Sequence, residues 1–184
     1  MPLTLIKEDG TGKSDANAYA NAADGDAYHD GHLYASAWTA ATTANKEKAL
    51  VFATRLIDSQ FQFGGSRASE TQALQWPRVN CPDPDNAATQ VRVSLSLADA
   101  CVVSSVVPTA VVQATCELAR ELLLADRTAA PAGEGLKYQN VGPNQTGYDK
   151  SDTRPIVSHV AQAMLAKFGA LIKSRSGAVR LTRV

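Results

Sequence analysis

The sequence predicts a mainly α-helical fold: a small bundle of about four helices with one or two β-hairpin or loop insertions and an extended C-terminal tail. Apolar residues recur at spacings of three and four along several segments, which is the helical period. Aromatic residues make up only 6% of the chain while alanine is frequent, which favours closely packed helices over a thick sheet core. At 184 residues the chain is long enough for one domain with a real core.

Composition and charge narrow the class of protein. Apolar residues make up 45% and charged residues 20%, as in a globular chain. The 18 basic and 18 acidic side chains cancel, whereas a free-standing nucleic-acid binder usually carries a basic excess. The three cysteines form no CxxC pair, and neither an apolar signal core nor an 18-residue apolar window is present. We therefore expect reduced thiols, a cytoplasmic setting and no membrane partner.

The N-terminal region divides into an arm and a first helix. Residues 1 to 20 form a short apolar run followed by a polar turn. Asn21 and Asp24 have the spacing of reciprocal helix-capping groups, so the helix is expected to begin there. It is expected to run to about Leu33, with Tyr28 and Leu33 facing inward.

The second and third helices follow from apolar periodicity. Residues 45 to 61 place apolar side chains on one predicted face: Ala49, Phe52, Ala53, Leu56 and Ile57. Pro108 is expected to open the third helix, since the N–H groups of the first helical residues have no partner within the helix and proline's missing N–H costs nothing at that position. The predicted wet face of that helix contains Gln113, Glu117, Arg120 and Glu121.

Two insertions and a final helix complete the predicted domain, residues 1–174. Within the insertion at 81–107, the alternating segment 91–97 and the segment 101–107 are expected to form a hairpin. The polar insertion at 134–153 is expected to form a flexible hairpin. The last helix follows Pro155, and its predicted apolar face contains Val157, Val160, Met164, Phe168 and Leu171.

Residues 175–184 are interpreted as an extended docking tail. Basic and apolar side chains alternate there, which suits a strand laid on another protein. The residues proposed to dock are Arg175, Val179, Arg180, Leu181, Arg183 and Val184. A nucleic-acid contact and a frayed end without a role remain alternatives.

Fragments that suggest chemistry are incomplete. Gly12-Lys13-Ser14 resembles the end of a phosphate-binding loop, but Lys7 occupies the position where the pattern needs its first glycine. His29 and His32, with Asp26 and Asp30 nearby, could form a weak metal site, yet no cysteine or third histidine lies at matching spacing.

Other polar residues add no recognisable catalytic arrangement. His159 is isolated, and sequence alone does not bring Asp58 and Glu70 together. The expectation is a non-enzymatic protein without cofactor or metal.

The segment Trp76-Pro77-Arg78 predicts a rigid corner between helices. Proline fixes its own backbone and disfavours helix at the preceding residue. Trp76 and Pro77 are interpreted as a structural anchor, while Arg78 is available either to a neighbouring protein or to carboxylates of the same chain.

Several segments together resemble the phage head–tail connector, or adaptor, family, often catalogued as DnaT-like. The resemblance covers most of the chain, except that residues 81–107 are longer than expected. The segments that carry it are DANAYA (15–20), DAYH (26–29), Trp38, KEKALVFATRLID (46–58), GGSR (64–67), QALQWPR (72–78), ELARELL (117–123) and VGP (141–143).

The resemblance implies a structural virion protein, assembled in the host cytoplasm and located at the neck of the particle. Such adaptors form a ring, commonly twelve-fold, beneath the portal protein. The ring extends the DNA channel without sequence-specific binding and offers a platform to a tail-completion or stopper protein. The family's C-terminal segment typically reaches the portal. The alternative function is a single-stranded-DNA-binding replication accessory.

Overall fold

The computed structural model describes residues 3–85, 101–129, 138–141, 144–147 and 154–172. Helices dominate these residues, as the sequence predicts. The helices are α1 (Ala22–Asp30), α2 (Ser36–Thr39), α3 (Thr43–Gln60), α4 (Thr109–Leu124) and α5 (His159–Leu165). The strands are β1 (Phe61–Phe63), β2 (Ser66–Arg67), β3 (Arg78–Val79), β4 (Tyr138–Val141), β5 (Asn144–Gly147) and β6 (Gly169–Leu171).

Helix α1 begins where the capping pattern predicts. The Asn21 side chain accepts from the Asp24 N–H at 2.9 Å, and the Asp24 carboxylate accepts from the Asn21 N–H at 2.8 Å. The helix ends at Asp30, however, and Leu33 lies beyond it with 86% of its surface exposed. The inward position of Leu33 was therefore a wrong prediction, whereas Tyr28 packs half-buried against the core.

Helices α3 and α4 form the most extensive helix–helix contact among the described residues, and α1, α2 and α5 also pack on α4. The Thr42 side chain caps α3 by accepting from the Asn45 N–H. The predicted inward face of α3 is correct except at Phe52, which is 36% exposed. The largest fully buried side chains are Trp38, Trp76, Tyr19, Phe61, Leu50, Ile57, Leu118 and Leu165.

Helix α4 follows Pro108 directly. Gln113 is exposed, and Arg120 and Glu121 are half-buried. Glu117 is only 3% exposed, so its assignment to the wet face was wrong. The Arg120 guanidinium donates to the Glu117 carboxylate at 2.5 Å, and this ion pair offsets part of the free-energy cost of burying the Glu117 charge.

The last helix is shorter than the apolar pattern suggests. Ser158 caps α5 at the Ala161 N–H, and Ala161 and Leu165 form its buried face. Val160 is 50% exposed, so its inward position was a wrong prediction. The other four residues of the predicted face are buried or pack against the core, although three of them lie outside α5: Val157, Met164, Phe168 and Leu171. The chain turns after Leu165 so that β6 pairs antiparallel with β1.

The hairpin within 134–153 is confirmed by the antiparallel pairing of β4 with β5. The predicted strand at 101–107 is absent; Cys101 makes one bridge to Pro82, and a turn follows. Its predicted partner at 91–97 and the tail 175–184 lie outside the described residues. None of the described helices is long and apolar enough to cross a membrane.

Candidate functional site

The corner at Trp76-Pro77 lies in the core. The peptide bond between the two residues is cis. The Trp76 side chain is fully buried, and its ring meets those of Phe63 and Phe168 edge-on, with centroids 5.5 and 5.7 Å away. These contacts join the corner to β1 and to the turn after α5.

The Arg78 guanidinium binds the loops around the corner. It donates to the carbonyl oxygens of Gly64 at 2.6 Å and Gly65 at 2.8 Å. It also donates to both the backbone and the side-chain oxygen of Gln75, at 3.1 and 2.9 Å, and to the Phe63 carbonyl oxygen at 3.3 Å. Arg78 is 7% exposed, and no described carboxylate lies within ion-pairing distance of it. Its hydrogen bonds are therefore intramolecular, and its main acceptors are carbonyl groups.

A buried polar network joins the N-terminal arm, α3 and the corner. The Tyr19 hydroxyl donates to the Asp58 carboxylate at 2.5 Å and accepts from the Trp76 N–H at 3.2 Å. The other Asp58 oxygen accepts from the Gln75 N–H at 3.0 Å. Burial raises the pKa of Asp58 to about 6 and also raises the pKa of Tyr19. Glu70 is exposed and takes no part in this network.

The glycine-rich segment near the N-terminus surrounds a carboxylate of its own chain. Glu8 is 1% exposed, and its carboxylate accepts from the backbone N–H groups of Gly10, Gly12 and Lys13 at 2.9, 2.9 and 2.8 Å. A phosphate-binding loop directs such N–H groups at a nucleotide. Here they already bind an internal anion, and the Lys13 ammonium pairs with Asp9.

His29 on α1 and His32 in the turn after it lie against α4. His29 is 2% exposed, its Nε2 lies 3.1 Å from the Cys116 carbonyl oxygen, and burial lowers its pKa. His32 Nε2 lies 3.7 Å from Glu117. His29 Nδ1, Glu117 Oε2 and Arg120 Nε are buried without a hydrogen-bond partner. Among the described residues, no group of three or more His, Cys, Asp or Glu side chains could hold a metal ion.

Two exposed apolar features lie on the surface. Leu33 and Tyr34, between α1 and α2, are 86% and 74% exposed. An open groove of about 440 Å³ lies between α5 and the β1–β6 pair. Its lining residues are Phe61, His159, Gln162, Ala163, Ala166, Gly169, Ala170 and Leu171.

One face of α3 combines an aromatic ring with cations. Lys48, Phe52 and Arg55 are exposed at helical spacings of four and three residues. Sequence periodicity missed this face because it assigned Phe52 to the core. The exposure of Leu33 and the burial of Glu117 were also missed, because the polarity of a residue locates neither the end of a helix nor a buried ion pair.

The chain matches a known protein family. The family described as "Putative DnaT-like ssDNA binding protein" matches residues 3–184, which is nearly the whole chain. No curated protein matches the chain significantly. No solved structure does so either.

Proposed function

The chain belongs to this DnaT-like family, and we propose that it is a structural virion subunit: a head-to-tail adaptor that forms a ring beneath the portal. The ring extends the DNA channel and provides a platform for a tail-completion or stopper protein. The observation that supports assembly is the exposure of Leu33 and Tyr34, since exposed apolar side chains that lie together mark interaction surfaces. They are the most exposed large apolar side chains of the described residues.

The distribution of charge also supports a ring. Residues 21–40 contain three aspartates and no lysine or arginine, while residues 154–172 contain Arg154 and Lys167 and no acid. Asp24, Asp26 and Lys167 form ion pairs within the chain, so Asp30 and Arg154 are the charges of these two segments that have no ion pair among the described residues. Opposite charges on different parts of one chain favour head-to-tail contacts between copies. Such heterologous contacts close into a ring when the rotation between neighbours permits.

Removal of residues 175–184 tests the attachment to the portal. We expect the truncated chain to keep the circular dichroism spectrum of the full chain but to lose co-sedimentation with purified portal particles. The matched control replaces the ten residues by a Gly/Ser segment of equal length. Undiminished attachment of both variants would reject portal docking by the tail.

Single-stranded DNA binding is the second candidate. The description of the matched family names this function rather than an adaptor role, and the Lys48–Phe52–Arg55 face of α3 also favours it. Cations attract phosphate and an exposed ring can stack on a base. Fluorescence anisotropy with a labelled oligothymidylate measures this binding. We expect Phe52→Ala and Arg55→Gln to weaken binding if this function holds, whereas Arg67→Gln, an exposed control on β2, leaves it unchanged. The absence of salt-dependent binding would reject this candidate.

A further inference from the structure

We infer that Leu33 and Tyr34 of one subunit insert into the groove between α5 and the β1–β6 pair of a second copy of this chain. The inference rests on the proposed self-assembly, and it identifies the two surfaces that join neighbouring subunits. The two side chains, called the knob below, and the groove are both apolar, and each lacks a covering element among the described residues.

The knob is held out from the fold by its backbone. Helix α1 ends at Asp30, and Gly31 caps it with its N–H on the His29 carbonyl oxygen. The Tyr34 N–H then donates to His32 Nδ1 at 3.0 Å, which fixes the chain between the helices. A residue on an ordered backbone loses little backbone freedom on binding, so this geometry suits an interface anchor.

The groove has the size and lining to receive the knob. Its volume of about 440 Å³ accommodates two large apolar side chains. Its lining includes the small residues Ala163 on α5 and Ala166 just after it, together with Phe61 of β1 and Leu171 of β6. The Gln162 and His159 side chains at the groove offer hydrogen-bonding groups that the Tyr34 hydroxyl can use.

The inferred pairing is between two copies of the chain. Leu33 and Tyr34 are too exposed to occupy the groove of their own chain. The knob and the groove are different surfaces, so each subunit uses its knob on one neighbour and its groove on the other. This arrangement is heterologous, and it produces a ring or an open filament rather than a two-fold dimer.

An acidic side chain lies beside the knob and a basic side chain lies beside the groove. Asp30 lies exposed beside the knob and makes no ion pair within the described part of the chain. Lys167, which also pairs with Asp85, follows the groove residue Ala166. Such pairing steers and orients association more than it strengthens the complex.

Site-specific disulfide cross-linking tests the contact. The full-length double variant Leu33→Cys/Ala163→Cys carries one thiol in the knob and one in the groove. Mild oxidation is expected to give a ladder of dimers, trimers and higher oligomers on non-reducing gels, at least several-fold above the oxidised wild-type chain. The matched control is Leu33→Cys/Ser59→Cys, whose second thiol lies exposed on α3. A ladder no stronger than that of the control would overturn the inference.

A mixing experiment separates this inference from the proposed function. Leu33→Arg blocks the knob and Ala163→Arg blocks the groove, so each variant alone is expected to remain monomeric in sedimentation velocity. Their equimolar mixture retains one intact knob and one intact groove and is expected to form dimers. A mixture that stays monomeric would contradict the inference. If the wild-type chain forms rings on the portal but the mixed variants form no dimers, the proposed adaptor function stands and only the knob–groove contact is rejected.

Discussion

The Tyr19 hydroxyl donates a 2.5 Å hydrogen bond to Asp58 and receives one from the Trp76 N–H. Through this single group, the N-terminal arm, α3 and the Trp76-Pro77 corner are joined in the core. The carboxylate that accepts the bond is buried, and its environment makes the stability of the corner dependent on pH.

Asp58→Asn tests this dependence. The pKa of Asp58 rises from 3.8 to about 6 because burial disfavours the charged form more than its hydrogen bonds favour it. The folded state thus binds the proton more tightly than the unfolded state. This contribution is fully present below about pH 4 and is lost as the pH rises through 6. The rise in pKa corresponds to roughly 3 kcal/mol.

Urea unfolding of both proteins between pH 4 and 7 measures the effect. The stability of the wild-type chain minus that of the Asp58→Asn variant is expected to fall as the pH rises. Subtracting the variant removes the other titrating groups from the comparison. If the difference in stability between the two proteins is constant or grows with pH, the pKa of Asp58 is not raised in the folded state.

Arg78→Lys is expected to destabilise the fold by about 2–4 kcal/mol, nearly as much as Arg78→Ala. A lysine cannot reproduce the fork of donors that reaches Phe63, Gly64 and Gly65 together. The midpoint of urea unfolding measures the loss. Arg67→Lys, on the exposed strand β2, is the control and should change little. Equal stability of Arg78→Lys and the wild-type chain would contradict the structural role of Arg78.

Glu8→Gln is expected to cost about 1–3 kcal/mol, since an amide offers one acceptor oxygen where the carboxylate offers two. Lys13→Ala, in the same loop, should cost less because its ion pair with Asp9 is exposed. Thermal unfolding measures both. Addition of Mg²⁺ and ATP should leave the melting temperature unchanged. A nucleotide-dependent rise that Lys13→Ala abolishes would instead establish a phosphate site.

Gly25→Ala is expected to destabilise the chain by about 1–3 kcal/mol or more through overpacking. A Cβ atom at this position would lie 2.2 Å from the Trp38 ring. Gly31→Ala is the matched control: a Cβ atom there meets nothing within 4 Å. Denaturant unfolding should therefore separate the two variants. Equal stability would mean that α1 does not pack on Trp38 as closely as described.

Local signals in the sequence predict most of the helices. The Asn21/Asp24 spacing locates the start of α1, and apolar periodicity locates α3 and α4. These features depend on neighbouring residues only, which is why a single sequence reveals them.

The errors arise from contacts distant in sequence. The pairing of Phe61–Phe63 with Gly169–Leu171 ends α5 early, and no local pattern encodes it. The burial of Glu117 depends on α1 packing against α4. In the glycine-rich segment, the sequence does not show whether the Glu8 carboxylate accepts hydrogen bonds from the loop or is solvated. The Leu33–Tyr34 surface was missed because the predicted helix was continued past Gly31.

The most direct test of the central claim is negative-stain electron microscopy of purified portal particles with and without this protein. We predict that portal particles mixed with this protein show an additional ring at one end, coaxial with the portal channel, and that portal particles without the protein do not. Portal particles that look the same with and without excess folded protein would contradict the account.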